Sequence, residues 1–217
     1  MSSDDGSGTA GDLPADWADL AAATFGAELA MARRYAELLV TAGIDWGLIG
    51  PREAGVIWPR HILNSAGLSG FVPWGQLVAD VGSGAGLPGI PLALARPDLT
   101  VELVEPMRRR VDFLARAVAD LGLDGRVRVI RARVEDYDGQ PGSVVCRAVA
   151  SVDHLIGLSG HLVPPARLLA LKGQRADLEL ATAAASMRQA NLVGRIEPAR
   201  LSGVEVGRVV LIEAKRS

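Results

Sequence analysis

The sequence predicts a doubly wound α/β fold carrying a helical N-terminal segment, on three observations. From Leu77 onward, short apolar runs alternate with amphipathic stretches of helical period, the pattern of strands joined by crossover helices. The first run, Leu77–Val81, leads directly into Gly82-Ser83-Gly84-Ala85-Gly86, a turn with three alternating glycines that opens a helix. Ahead of it, apolar residues recur at helical spacing with no strand signal.

Composition bounds the function. The chain has 217 residues, 49% hydrophobic and 22% charged, which suits one sizeable globular unit. No apolar run reaches the roughly 20 residues needed to cross a bilayer, and the polar, acidic start has no leader-like apolar core. Cys146 is the single cysteine, so no internal disulfide forms, and the expected location is the cytoplasm. Net charge is −2, which gives no global support for a nucleic-acid partner. Arginines nevertheless cluster at Arg108–Arg110 and alternate through Arg126, Arg128, Arg131 and Arg133, either as a basic face or as an ordinary solvated surface.

Taken in order, residues 1–13 are rich in Ser, Gly and Asp and read as a disordered head. Residues 14–70 form the helical segment. Its stripe runs through Phe25, Leu29, Ala32, Ala36 and Leu39 and stops at Gly43, and a short helix follows through Val56, Ile57 and Trp58 into Arg60-His61. Residues 71–217 form the α/β domain. Its expected strands are Leu77–Val81, Thr100–Glu105, Val127–Arg131, Ser143–Arg147, Arg167–Lys172, 191–196 and 208–214, in a parallel sheet. Helices are expected over Gly89–Arg96, after Pro106 with Val111, Leu114, Ala115 and Val118 on one face, after Asp153, and over Ala176–Ala190.

The glycine turn suits a nucleotide-like ligand, because glycine permits positive φ and close backbone approach, and a helix N-terminus presents unpaired N–H groups. A dinucleotide fingerprint needs its third glycine at position 87, where this chain has leucine. Asp80, two residues before the first glycine, gives a pyrophosphate nothing but suits the ammonium and sulfonium of S-adenosylmethionine. Glu105, ending the second strand, is placed to accept ribose hydroxyls from either ligand. Val134 and Glu135, after the third strand, lie where a loop could meet the adenine edge. Asp80, Gly82, Gly84, Leu87, Glu105, Val134, Glu135 and Arg147 are therefore the candidate cofactor residues.

The fourth strand bears on the acceptor atom. It lacks the Asn/Asp-Pro-Pro-aromatic loop of exocyclic-amine methylation, and Cys146 has no preceding proline to expose it as a nucleophile. An acceptor with a lone pair and no hydrogen, such as guanine N7, needs neither group, and positioning and electrostatics suffice. Arg147 would face both cofactor and base, and Lys172, before Gly173, points to the same edge and suits a phosphate.

Five stretches carry a closer resemblance: Arg60–Ser65, Asp80–Pro91 with its Gly-Leu-Pro-Gly-Ile-Pro extension, Arg133-Val134-Glu135, Arg147-Ala148 and Ala170–Gly173. In this order and spacing the chain resembles the glucose-inhibited division protein B family of bacterial 16S rRNA methyltransferases, over roughly residues 30–215. The resemblance implies a Rossmann-like class I S-adenosylmethionine-dependent methyltransferase that modifies guanine N7 in the decoding-region loop of 16S rRNA. It implies a monomer acting on 16S rRNA or a 30S assembly intermediate, without metal or membrane, whose loss brings low-level streptomycin resistance. It places Arg147 and Arg133 among the catalytic residues and Arg60, His61 and Lys172 on the substrate side. The chain departs from many members in having Gly47-Leu48-Ile49 for Asn-Leu-Thr and Asn64 for Asp. A small-molecule methyltransferase and a non-catalytic cofactor- or RNA-binding module remain open on the residues alone.

Overall fold

The computed structural model describes residues 11–215, so residues 1–10 of the expected head lie outside the described residues. The helical segment is more broken than its apolar stripe suggests. Helices α1 (Ala15–Phe25) and α2 (Leu29–Val40) are separated by a 3-10 turn at Gly26–Glu28, with Gly26 at φ +50°. Gly43 does not end α2 but lies inside the short α3 (Ala42–Asp45). A 3-10 turn (Pro51–Val56) then runs into a π-helix at Ile57–Leu63, followed by α4 (Asn64–Ala66). An ordinary helix was expected there. Pro59 has no N–H to give the carbonyl four residues back and its ring crowds that carbonyl, and the wider π turn accommodates both. Arg60 and His61 sit on that turn.

Seven strands form one sheet: β1 (Leu77–Val81), β2 (Thr100–Val104), β3 (Val127–Ile130), β4 (Ser143–Arg147), β5 (Arg167–Lys172), β6 (Leu192–Leu201) and β7 (Val204–Ala214). Their order is 3-2-1-4-5-7-6, with the first five parallel. The wholly parallel sheet expected from the sequence is corrected at its end, because β7 runs antiparallel to both β5 and β6. Ser202 and Gly203 join β6 to β7 at φ +46° and +84°. Two residues can close a hairpin but cannot carry a chain across a sheet. Pro198 hid this hairpin in the sequence; β6 is the sheet's edge strand, where a missing donor is tolerated.

Alternate strand residues serve two cores. Val78, Val101, Leu103 and Val145 meet the N-terminal helices together with α5 (Gly89–Ala95) and α6 (Arg108–Asp120). Ala79, Val81, Val144 and Cys146 face α7 (Val152–Ser159), α8 (Ala176–Thr182) and α9 (Ala184–Gln189). The single helix expected over Ala176–Ala190 is thus two, parted at Ala183. The N-terminal segment shares the first core with the sheet, burying Tyr35, Trp58, Ile62 and Leu63 against it. Chain order reverses between β1 and β4, which opens a crevice at their C-terminal ends.

Candidate functional site

The glycine turn fills the β1 side of that crevice, and its three glycines answer three different demands. All have positive φ: Gly82 at +70°, Gly84 at +59° and Gly86 at +97°. A Cβ on Gly82 would lie 2.8 Å from Val149 in the loop after β4. One on Gly86 would lie 2.5 Å from Ile90 of α5. A Cβ on Gly84 would meet nothing closer than the Gly82 carbonyl at 3.8 Å. Gly84 is therefore bare for the sake of open space, and that space is a cavity of about 280 Å³. It is lined by Leu48, His61, Gly84, Leu87, Arg110 and Arg147, among others.

Two carboxylates hold the turn in shape. Asp80, fully buried, accepts the Gly89 N–H at the start of α5 with Oδ2 at 2.9 Å, while Oδ1 has no partner. Burial pushes its carboxyl up to about 7. The position of Asp80 in the sequence predicts direct contact with the ligand, but its side chain lies behind the turn, outside the cavity lining. Glu105 is 1% exposed and bridges two loops, accepting the Gly84 N–H at 3.1 Å and the Met107 N–H at 3.0 Å. Arg110 stands 3.6 Å from its Oε2. A third support was not foreseen. Buried Tyr35 of α2 donates its hydroxyl to the Ala85 carbonyl at 2.9 Å, tying the N-terminal segment to the turn.

Arg147 closes the far wall of the cavity. Its Nη2 lies 2.7 Å from His61 Nδ1, and Nη1 lies 3.3 Å from the His61 carbonyl and 3.4 Å from Ser65 Oγ. Burial lowers its affinity for the proton from the usual arginine value. Beyond it opens a larger cavity of about 850 Å³, lined by Arg60, Arg147, Ala148, Lys172, Arg175 and Leu178, among others. Arg147 and Ala148 line both spaces. Ala148 turns the chain there at φ +54°, a left-handed conformation that costs a non-glycine residue about 1–2 kcal/mol.

The structure gathers most of the expected residues but not all. Gly82, Gly84, Leu87, His61 and Arg147 share the smaller cavity, and Arg60, Lys172 and Arg147 the larger. Lys172 is drawn inward, bound to Glu179 at 2.8 Å and donating to the Ala150 carbonyl. His61 is a contact of Arg147 as much as a cavity wall, and Glu53, unmarked in the sequence, holds its other face. Val134 and Glu135 form a 3-10 turn after β3 and lie outside both linings, with Val134 buried in the second core. Arg133 is exposed and also outside both, so the catalytic role expected of it is not supported by position. Cys146 is buried with its thiol pushed up to about 12 by desolvation, which removes it as a nucleophile. Leu48 and Ile49 line the smaller cavity, and Asn64 donates to the Val206 carbonyl at 2.8 Å, so both departures from the family pattern fall at the site. Among the described residues, no cluster of three or more His, Cys, Asp or Glu is placed to hold a metal ion, and no helix is long and apolar enough to cross a membrane.

Comparison with known proteins decides the family. A family model described as rRNA small subunit methyltransferase G (GidB) matches residues 28–197. The chain belongs to the GidB family. This small-subunit rRNA methyltransferase family also contains relatives of high identity, each named ribosomal RNA small subunit methyltransferase G. The Mycolicibacterium gilvum protein is 54% identical over 168 residues, covering 75% of this chain and 73% of that one. The Mycolicibacterium smegmatis protein is 49% identical over 176 residues, covering 78% and 74%. Among solved structures, a B. subtilis tRNA methyltransferase, TrmK, matches with TM-score 0.55 at 14% identity, over 70% of this chain and 65% of that one. An O-methyltransferase of neocarzinostatin biosynthesis, solved with S-adenosylmethionine, matches with TM-score 0.54 at 20% identity, over 91% and 72%. The GidB sheet is thus that of the class I S-adenosylmethionine-dependent methyltransferases.

Proposed function

We propose that this chain transfers a methyl group from S-adenosylmethionine to N7 of a guanine in 16S rRNA. The observation that carries the reading is the junction at Arg147, where a small glycine-lined space meets a larger cationic one. The open face of Gly84 fits a ligand that approaches backbone closely, and a side chain there would fill the space it needs. When bound, S-adenosylmethionine supplies an electrophilic methyl on sulfur. The bare face of Gly84 gives the ligand its approach to the turn, whose amides are held by Val104, Ser83 and Glu105, and we propose that Glu105, just after β2, meets its ribose hydroxyls.

The larger cavity has room for a base taken out of its stack, with Arg60 and Arg175 offering cations to the phosphates on either side, while Lys172 in its wall is paired with Glu179. The group at the junction is a guanidinium, which donates but cannot take up a proton. That favours an acceptor already carrying a free lone pair, and guanine N7 is one. Arg147 can donate to the neighbouring O6, which orients N7 for in-line displacement. Asp153 and Glu179, the carboxylates in the lining, accept hydrogen bonds from Ser186 and from Lys172.

The test is reverse-transcription mapping of N7-methylguanosine in 16S rRNA from cells with and without the gene. The modification should vanish in the deletion and return on complementation. Unchanged methylation would overturn the assignment, and label passing to free metabolites but not to rRNA would move it to a small-molecule acceptor. Whether naked rRNA or a 30S assembly intermediate is the substrate is decided by offering each with methyl-labelled cofactor, and we propose that the protein acts as a monomer.

A further inference from the structure

Arg147 stands at the junction of the two cavities, yet what holds it there comes from outside the sheet. Its Nη2 points at His61 Nδ1 at 2.7 Å. A guanidinium has only donors, so Nδ1 must present its lone pair and the ring proton must sit on Nε2. Nε2 lies 2.6 Å from Glu53 Oε2, which accepts that proton's hydrogen bond. The other carboxylate oxygen, Oε1, takes Arg60 Nη1 at 3.3 Å. The three groups form one directed chain, carboxylate to imidazole to guanidinium, in which only one histidine tautomer satisfies both ends.

We propose that Glu53 is a positioning residue for methyl transfer, acting through the tautomer of His61 to aim Arg147 at the junction. The proposal rests on the methyltransferase reading above. The 3-10 turn that supplies Glu53 and the π-helix that supplies His61 are adjacent, so the relay is built within one local segment and reaches across to β4. Glu53, 28% exposed at its side chain, spends its carboxylate on this contact rather than on solvent alone.

The charged and titratable groups facing His61 are Glu53 from the 3-10 turn, Arg147 from β4 and Arg60 beside it on the π-helix, with the Tyr35 hydroxyl of α2 acting on Arg147. Burial and the Arg147 charge hold His61 below its ordinary value, and Glu53 only partly restores it. Protonating Nδ1 would set a donor against a donor and two positive charges face to face. Activity should therefore have an acidic limb governed by His61. Removing the Glu53 charge takes away what favours the cation, so that limb should move to lower pH while the plateau falls.

The experiment compares wild type, E53Q, H61N and the double variant in methyl transfer from labelled S-adenosylmethionine to small ribosomal subunits lacking the modification, across about pH 5.5–8.5. Asn at 61 keeps an acceptor near Nδ1 but severs the link to Glu53. E53Q should lower kcat about ten-fold with KM for subunits within about two-fold, and should shift the acidic limb down. In the H61N background the Glu53→Gln change should add nothing. Wild-type kcat and pH profile in E53Q, or the same loss in the H61N background, would overturn the proposal. Nitrogen-15 spectra of the imidazole, with the attached proton resonance, read the relay independently of activity: the proton should sit on Nε2 in the wild type and stay there in E53Q, because Arg147 still offers only donors to Nδ1, while the Nε2–H proton resonance moves upfield as the charged acceptor is lost. If the wild type labels no RNA, the methyltransferase reading on 16S rRNA falls, while these spectra still decide the relay. A proton on Nδ1 in the wild type sinks it whatever the activity.

Discussion

Gly84→Ala separates the ligand-binding demand on the glycine turn from its folding demand. At φ +59° an alanine pays about 1–2 kcal/mol of left-handed strain, and the less flexible unfolded chain returns about 0.4–1 kcal/mol. The new methyl meets only the Gly82 carbonyl at 3.8 Å, an ordinary contact, so no overpacking is added. The net loss is about 1 kcal/mol, which for a chain of this size lowers Tm by about 2–4 °C. Gly86→Ala carries similar strain at φ +97° and also drives its methyl to 2.5 Å from Ile90 Cδ1. Overpacking adds about 1–3 kcal/mol, for a Tm loss of roughly 4–16 °C. Affinity should run the other way. The Gly84 methyl projects into a cavity of about 280 Å³ and should weaken S-adenosylmethionine binding by more than about ten-fold at little cost in stability. Differential scanning calorimetry and isothermal titration of the two variants read both quantities. Wild-type cofactor affinity in Gly84→Ala would mean that the ligand does not approach this turn. A stability loss equal to that of Gly86→Ala would refute the open face inferred for Gly84.

Three further outcomes follow from buried groups around the site. Tyr35→Phe should cost about 1–3 kcal/mol in thermal melts by leaving the buried Ala85 carbonyl unpaired, and should weaken cofactor binding because the turn loses its tie to α2. Asp80 has its folded value raised to about 7, so the folded chain holds a proton that the unfolded chain has released above about 4. Its contribution therefore falls as pH rises from about 4 to 7, by on the order of 4 kcal/mol, and is flat above. Urea unfolding at several pH values should show that slope flattened in Asp80→Asn, and a slope that survives would place the titrating group elsewhere. Cys146→Ala should keep methyl transfer within about two-fold, at about 1 kcal/mol of lost packing, and the native thiol should resist iodoacetamide until the chain unfolds.

Much of the fold was legible because it is written in local periods. The alternation of strand and helix from Leu77 and the glycine turn both depend on residues within one or two turns of each other. Where the local signal was ambiguous the reading failed. Pro198 disguised an edge strand, Ala183 gave no sign of a helix break, and Pro59 altered a helix into a π turn around the residues that matter most. The candidate site was legible only in its glycines, its acids and its motif spacing. Val134, Glu135 and Arg133 follow the family's order along the chain, but order does not report which side chains reach a cavity.

The sequence by itself determined the sheet's five parallel strands, the crevice at their ends and the glycine turn that opens onto it, because backbone conformation and side-chain period are properties of neighbouring residues. Only the tertiary structure decided what each charged group does there. It placed Asp80 behind the turn instead of against the ligand, set Tyr35 beneath Ala85, and put Arg147 on the wall between two cavities. His61 and Arg147 are 86 positions apart and touch at 2.7 Å. No periodicity spans that separation, and the contact exists because the π turn and the end of β4 are packed against the same core.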